Sequence, residues 1–235
     1  MSESQDHEPV TAPPARSEHA VTVLLVDDHP ILRRGLTQLI NQEQDMVVCG
    51  EAEDAPKAFA AVSTLQPDVA VVDISLKGGN GIELIKNVKA RFPNLPILVL
   101  SMHDESLYAE RALRAGGLGY IMKEEAIEQV LAGIRRVLVG EIFLSDKMKA
   151  KMLQQLANGK AKAFVSPIEH LTDRELEVFR LIGEGRSTRQ IAGELHLSVR
   201  TVEAYREYIK GKLNLKNATE LVQHAFHWVH HEAAA

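Results

Sequence analysis

Three carboxylates fall where apolar runs end: Asp27 and Asp28 after VTVLLV, and Asp73 after DVAVV. Each run reads as a buried strand of a parallel sheet, and such strands collect their ligands at the carboxyl edge. The three acids therefore meet at one edge. Crowding them there is unfavourable unless a hard cation sits among them. Two further strand ends add Ser101, closing PILVL, and Lys123, closing GYIM. A hydroxyl and an ammonium beside an acidic trio point to a site that holds Mg²⁺ and a phosphoryl group. Each residue alone has a plainer reading: Asp27 and Asp28 as caps of the helix starting near Pro30, Lys123 as a solvated charge, Tyr120 as a packing residue.

The elements that must position these residues alternate. Strands are expected over 21–26, 46–51, 68–73, 96–101 and 119–122, and helices over 30–42, 55–65, 82–91, 105–115 and 125–138. Pro30 sits where a first helical turn tolerates it, and Gly78, Gly79 and Gly81 punctuate the loop after the third strand. Alternation with short loops implies a parallel sheet covered on both faces. We expect an α/β domain over 20–138, preceded by a Pro-containing disordered tail (1–19).

The strand signal then stops. Residues 139–168 read as a linker carrying a helix at about 145–157, and 169–231 as an all-α domain with helices near 173–183, 188–195, 199–213 and 218–230. Thr172 with Glu175, Ser187 with Gln190, and Asn217 with Glu220 each fit a capping box, and Ser198 caps a helix without one. Val202, Tyr205, Ile209 and Leu213 recur at helical spacing and should face a core. Ala192 is small enough for two helices to cross closely.

A net charge of −5 announces no global nucleic-acid binder. The lone Cys49 cannot form an internal disulfide and fits a reducing compartment. Apolar stretches are strand-sized, far short of the roughly 20 residues of a membrane helix, and no signal peptide is read. A cytoplasmic protein without membrane contact is expected. His224, His227, His230 and His231 near the C-terminus could ligate a metal, but three-residue spacing on a polar helix face is more often incidental.

In this combination the chain, over about 21–230, resembles a two-domain response regulator of the NarL/FixJ class. The acid pair, the Asp73 of VVDISLKGGNGIELI, the Ser101 of LVLSMHDE and the Lys123 of GYIMKEE resemble a receiver domain. LTDRELEVFRLIGEGRSTRQIAGELHLSVRTVEAYREYIKGKL resembles a LuxR-type helix-turn-helix domain. The resemblance implies a flavodoxin-like five-stranded sheet of order 2-1-3-4-5 joined to a four-helix domain. It implies Asp73 as phosphoacceptor, with Asp28, Asp73 and the Ser75 backbone carbonyl on Mg²⁺ and Asp27 acting through water. Lys123 and Ser101 would meet the phosphoryl group, and Tyr120 would follow as a switch. Ser75 and His103 would flank the path of an attacking water. The implied partners are a sensor histidine kinase, double-stranded DNA at promoter half-sites, and a second copy on phosphorylation. Beyond self-phosphorylation and slow self-dephosphorylation, no enzymatic activity is implied.

The second helix of such a motif lies in the major groove. Here Arg200, Arg206, Lys210, Lys212 and Lys216 concentrate positive charge near it. The implied DNA contacts are Arg200, Thr201, Glu203, Ala204, Tyr205, Arg206, Glu207, Lys210 and Lys212. Glu203, Ala204 and Glu207 fall at base-facing positions. A glutamate can accept from cytosine N4, or it can pair along the helix with Arg200 and Lys210. Two other classes of protein compete with this reading. A dehalogenase-like phosphatase wants a second acid two residues beyond its nucleophile, where this chain has Ser75. A third class acts through protein contacts: the intact acidic trio argues against a degenerate pocket, while Glu203 and Glu207 keep open a helical domain used only for dimerisation.

Overall fold

The computed structural model describes residues 20–77, 79–124, 127–157 and 167–232. The expected tail (1–19), Gly78, the start of the fifth helix (125–126) and the middle of the linker (158–166) lie outside these residues.

Strands β1 (Val21–Val26), β2 (Met46–Ala52), β3 (Val69–Val72), β4 (Ile97–Ser101) and β5 (Gly119–Met122) form one sheet of order β2-β1-β3-β4-β5, every pairing parallel. Period-two side chains feed two faces. Val23, Leu25, Val69, Val71, Leu98, Leu100 and Ile121 pack under α1 (Pro30–Gln42) and α5 (Ile127–Leu138). Leu24, Val26, Ala70, Val72, Ile97 and Val99 pack under α2 (Ala55–Leu65), α3 (Gly81–Arg91) and α4 (Glu105–Arg114). Asp54, Asn80 and Asp104 cap α2, α3 and α4 with side-chain oxygens. The residues after Asp73 are not a plain loop. Ser75–Leu76 and Gly79–Asn80 pair as a small antiparallel hairpin that delivers the chain into α3.

Past α5 the chain returns to the sheet. Phe143 N–H donates to Leu118 O (2.9 Å) and Phe143 O accepts from Tyr120 N–H (2.8 Å), so one residue pairs on the outer edge of β5. Gly119 and Gly133 make room for it, since a Cβ on either would crowd Phe143 at 3.0–3.3 Å. Ser145 then gives its N–H (2.8 Å) and hydroxyl to Glu105, and its hydroxyl accepts from Met148 N–H at the start of α6 (Asp146–Ala157).

The C-terminal domain holds α7 (Asp173–Gly183), α8 (Thr188–Glu194), α9 (Val199–Leu213) and α10 (Ala218–His227), the last running into a π-helical turn at Trp228–Glu232. Thr172 and Ser187 form full capping boxes. Asn217 caps α10, but Glu220 turns its carboxylate to Lys216 N–H instead, so the third box is half made. Val202 and Ile209 are fully buried, with Tyr205 and Leu213 packed beside them. α7 and α10 cross tightly at Gly183, where a Cβ would lie 2.4 Å from Ala225 O.

The two domains touch. Arg111 on α4 donates to Asp173 (3.0 Å) and to the carbonyls of Leu171 (2.8 Å) and Ile168 (3.3 Å). Lys86 donates to the other Asp173 oxygen (2.8 Å), and Asn80 reaches Glu177 at 3.5 Å. A cleft of about 1040 Å³ lies alongside, walled by α4, α6 and Trp228.

Candidate functional site: a phosphoacceptor pocket and a DNA-facing helix

The carboxyl edge of the sheet assembles the pocket. Asp27 N–H donates to Ala52 O (3.0 Å) and Asp73 N–H to Val26 O (2.8 Å), so sheet pairing fixes both backbones. Asp27 and Asp73 are buried, and Asp28 is half-buried. Lys123, 3% exposed, places its ammonium 2.7 Å from Asp73 Oδ2 and 2.6 Å from Asp27 Oδ2. Lys123 thus bridges two of the three acids. Burial raises the Asp73 carboxyl to about 6 despite Lys123, with Asp27 pushing the same way.

Ligand atoms of Asp27, Asp28, His29 and Asp73 all lie within 4.8 Å of one another. Asp28 Oδ1 is buried with no hydrogen-bond donor. His29 Nδ1 stands 2.9 Å away, an ion pair only when the ring is protonated. Oxygen-rich donors around an unsatisfied carboxylate suit a hard divalent cation. The alternative use of the acid pair is not taken: the N-cap of α1 is His29, without a side-chain cap bond, and Asp27 Oδ1 instead accepts from His29 N–H (2.7 Å).

The other strand-end residues converge here as well. Ser101 is fully buried, and its hydroxyl accepts from His103 N–H at 3.2 Å. Ser75 N–H donates to Asp73 Oδ1 (3.2 Å), and its hydroxyl lies 2.8 Å from His103 Nε2. The His103 ring stacks on Tyr108 at 4.5 Å. Burial, with the charges of Arg180 and Lys123, pushes His103 down to about 3, so it is a neutral imidazole. Tyr120 is buried and donates its hydroxyl to His103 O (2.8 Å). Gly81 is a residue whose part the sequence does not show: a Cβ there would sit 2.1 Å from Asp73 O, so only glycine lets α3 start against the Asp73 backbone.

On α9, Arg200, Glu203, Ala204 and Glu207 lie on an exposed face, joined by Tyr208, 61% exposed and absent from the sequence expectation although it lies one turn beyond Ala204. Thr201 is half-buried beside Ser198 (2.7 Å), and Tyr205 packs on the core. Arg206 is half-buried, and that burial lowers its guanidinium pKa. Lys210 pairs with Glu207 at 2.9 Å. Lys212 is drawn inward, its ammonium donating to Glu175 (2.6 Å) and His170 O (3.3 Å). Among the described residues, the hydrogen bonds between the domains use α7 and the turn before it, not the exposed α9 face. His224, His227 and His230 form no metal cluster with other ligands among the described residues.

A parallel sheet with an acidic, lysine-closed carboxyl edge, followed by a helix-turn-helix domain, defines a phosphorylation-type switch joined to a DNA reader. Residues 23–135 match the family of response regulator receiver domains, and residues 169–225 match the bacterial regulatory proteins of the luxR family. The oxygen regulatory protein NreC of Staphylococcus carnosus is 35% identical over 207 residues, covering 86% of this chain and 95% of that protein. DevR/DosR of Mycobacterium tuberculosis, a DNA-binding transcriptional activator, is 35% identical over 155 residues, covering 66% of this chain and 70% of that protein. RcsB of Salmonella enterica serovar Typhimurium, solved on promoter DNA with phosphomimetic BeF₃⁻, superposes with a TM-score of 0.59 at 27% identity, covering 87% of this chain and 98% of that one. The chain belongs to the two-component response regulators of the NarL/FixJ class, a receiver followed by a LuxR-type DNA-binding domain that regulates transcription. Among the described residues no helix is long and apolar enough to cross a membrane.

Proposed function

We propose that Asp73 is the phosphoacceptor, taking its phosphoryl group from a sensor histidine kinase, and that the acyl phosphate resets the contact between the domains. The observation that carries this reading is the placement of Asp73, 1% exposed at a strand end with its carboxylate 2.7 Å from Lys123. Phosphoryl transfer needs mainly positioning and charge neutralisation. Asp27, Asp28, Asp73 and the Ser75 backbone carbonyl would hold Mg²⁺. When bound, that ion neutralises charge on the acceptor and the incoming phosphoryl oxygens. Asp73 attacks phosphorus and the donor imidazole leaves. Lys123 then meets a phosphoryl oxygen as a mobile charge. Ser101 exchanges its bond to His103 N–H for one to the phosphoryl group and draws its loop inward. The hydroxyl of Tyr120, anchored to His103 O, follows that loop.

Arg200, Thr201, Arg206 and Lys210 would meet phosphates around the groove. Glu203, Ala204 and Glu207, with Tyr208, would face base edges. Lys212 serves this surface by locking α9 to α7 through Glu175. Two copies would bind paired half-sites, because the acidic residues on this face weaken binding by one domain alone. The test is full-length protein with a small phosphodonor and Mg²⁺, read by intact mass and by gel shift on genomic promoter fragments. Wild type gains one phosphoryl group and shifts DNA at lower protein concentration, while Asp73→Asn does neither. An Asp73→Asn protein that is phosphorylated like wild type rejects Asp73 as acceptor.

A further inference from the structure

We propose that Arg33 and Glu51 form a positioning pair that aims the Asp27–Asp28 loop at its cation. This rests on the reading of the acidic trio as the cation site. The last rung between β1 and β3 is Asp73 N–H to Val26 O, and Asp27 N–H still pairs with Ala52 O on β2. The carbonyl of Asp27 lies beyond both ladders. Arg33, one turn into α1, supplies the missing donor with Nη1 at 2.5 Å. That bond fixes the peptide plane that leads directly into Asp28.

The guanidinium is itself held. Its Nε donates to Glu51 Oε2 at 2.7 Å, and Thr37 donates to the other oxygen at 2.8 Å. Both carboxylate oxygens of Glu51 are thus engaged, and Arg33 is 16% exposed. A rigid fork gripping a backbone carbonyl on one side and a carboxylate on the other sets direction as well as charge. Asp28, next in the chain, carries the buried oxygen without a donor. Groups that orient metal ligands from behind typically change affinity 10–100-fold when removed.

Charge alone predicts the opposite sign. A guanidinium near a cation repels it, so deleting Arg33 would tighten binding if electrostatics ruled. If positioning rules, binding weakens. The test titrates full-length protein with Mn²⁺ alone, following free Mn²⁺ by electron paramagnetic resonance, with thermal unfolding recorded in parallel. Arg33→Met and Arg33→Lys should each raise the Mn²⁺ dissociation constant about tenfold. Lysine keeps the charge and the stem but cannot make the fork, so it provides a folded variant should methionine disturb α1. Either variant binding Mn²⁺ as tightly as wild type, or tighter, overturns the proposal. Wild-type binding that survives Asp28→Asn unchanged overturns the cation site itself.

Discussion

At the scale of single residues, the pocket depends on a few contacts with clear consequences. His103, neutral and stacked on Tyr108, lies against the Ser75 hydroxyl, two residues beyond Asp73. Replacing His103 with alanine should let water reach a phosphorylated Asp73 and shorten the phosphoryl lifetime. The expected effect is on the order of tenfold, a barrier change of about 1.4 kcal/mol. The decay of ³²P-labelled protein measures it, and equal lifetimes for His103→Ala, Ser75→Ala and wild type would remove both residues from water control. Asp27, Asp28, Asp73, Ser101 and Lys123 were legible because each closes an apolar run and parallel strands bring such ends together. Arg33 and Glu51 were not. Eighteen residues separate them, and their meeting depends on the β1–β2 register, which slips between Val23 and Leu24.

Elements carry a second set of expectations. Lys212 bridges α9 to Glu175, whose carboxylate also completes the capping box of α7. Burial disfavours ionised Glu175, but the hydrogen bonds from Lys212 and Thr172 outweigh it and hold its pKa below the ordinary glutamate value. A depressed carboxylate pKa stabilises the fold above the unfolded-state value, and that stability is lost as pH falls through the folded value. Urea melts from pH 6 to pH 3 should therefore show stability declining on the acid side, with a shallower decline in Lys212→Met. At pH 6 that variant should be less stable by about 1–2 kcal/mol, the range for losing one charged hydrogen bond that is partly exposed. Equal stability of the two proteins at pH 6 would return Lys212 to the DNA surface. The sequence places Lys212 on the recognition helix but does not show that its ammonium reaches Glu175. Its partner lies 37 positions away. Helix limits, by contrast, were readable from Thr172, Ser187 and Ser198, since a cap is a local bargain between one side chain and a nearby N–H.

At the scale of the molecule, two domains share one arrangement. Arg111 holds Asp173 and two backbone carbonyls, and Lys86 shares the same carboxylate. Arg111→Ala leaves Asp173 to Lys86 alone. Losing hydrogen bonds to charged groups at about 1.5–3 kcal/mol shifts the docking equilibrium roughly 10–100-fold toward the open form. Small-angle scattering should show a larger radius of gyration for unphosphorylated Arg111→Ala than for wild type. An unchanged radius would mean that docking rests on the apolar cluster running from Met148 and Ile168 to Trp228. Nothing in the sequence near Arg111 marks it as an interdomain residue, because its partners belong to another fold unit.

The residue after α5 that pairs with β5 has a practical consequence for anyone dividing the chain. Sheet edges with free N–H and C=O groups invite pairing between molecules. Cutting the chain after Leu138 removes Phe143 and leaves Leu118 O and Tyr120 N–H without partners, beside a cavity shaped by Gly119 and Gly133. A fragment of residues 20–138 should therefore self-associate in sedimentation velocity, whereas 20–157 should remain monomeric. Monomeric behaviour of both would show that the edge is blunted by other means. The receiver's working boundary is set by its last hydrogen-bonded rung, not by the end of its last helix.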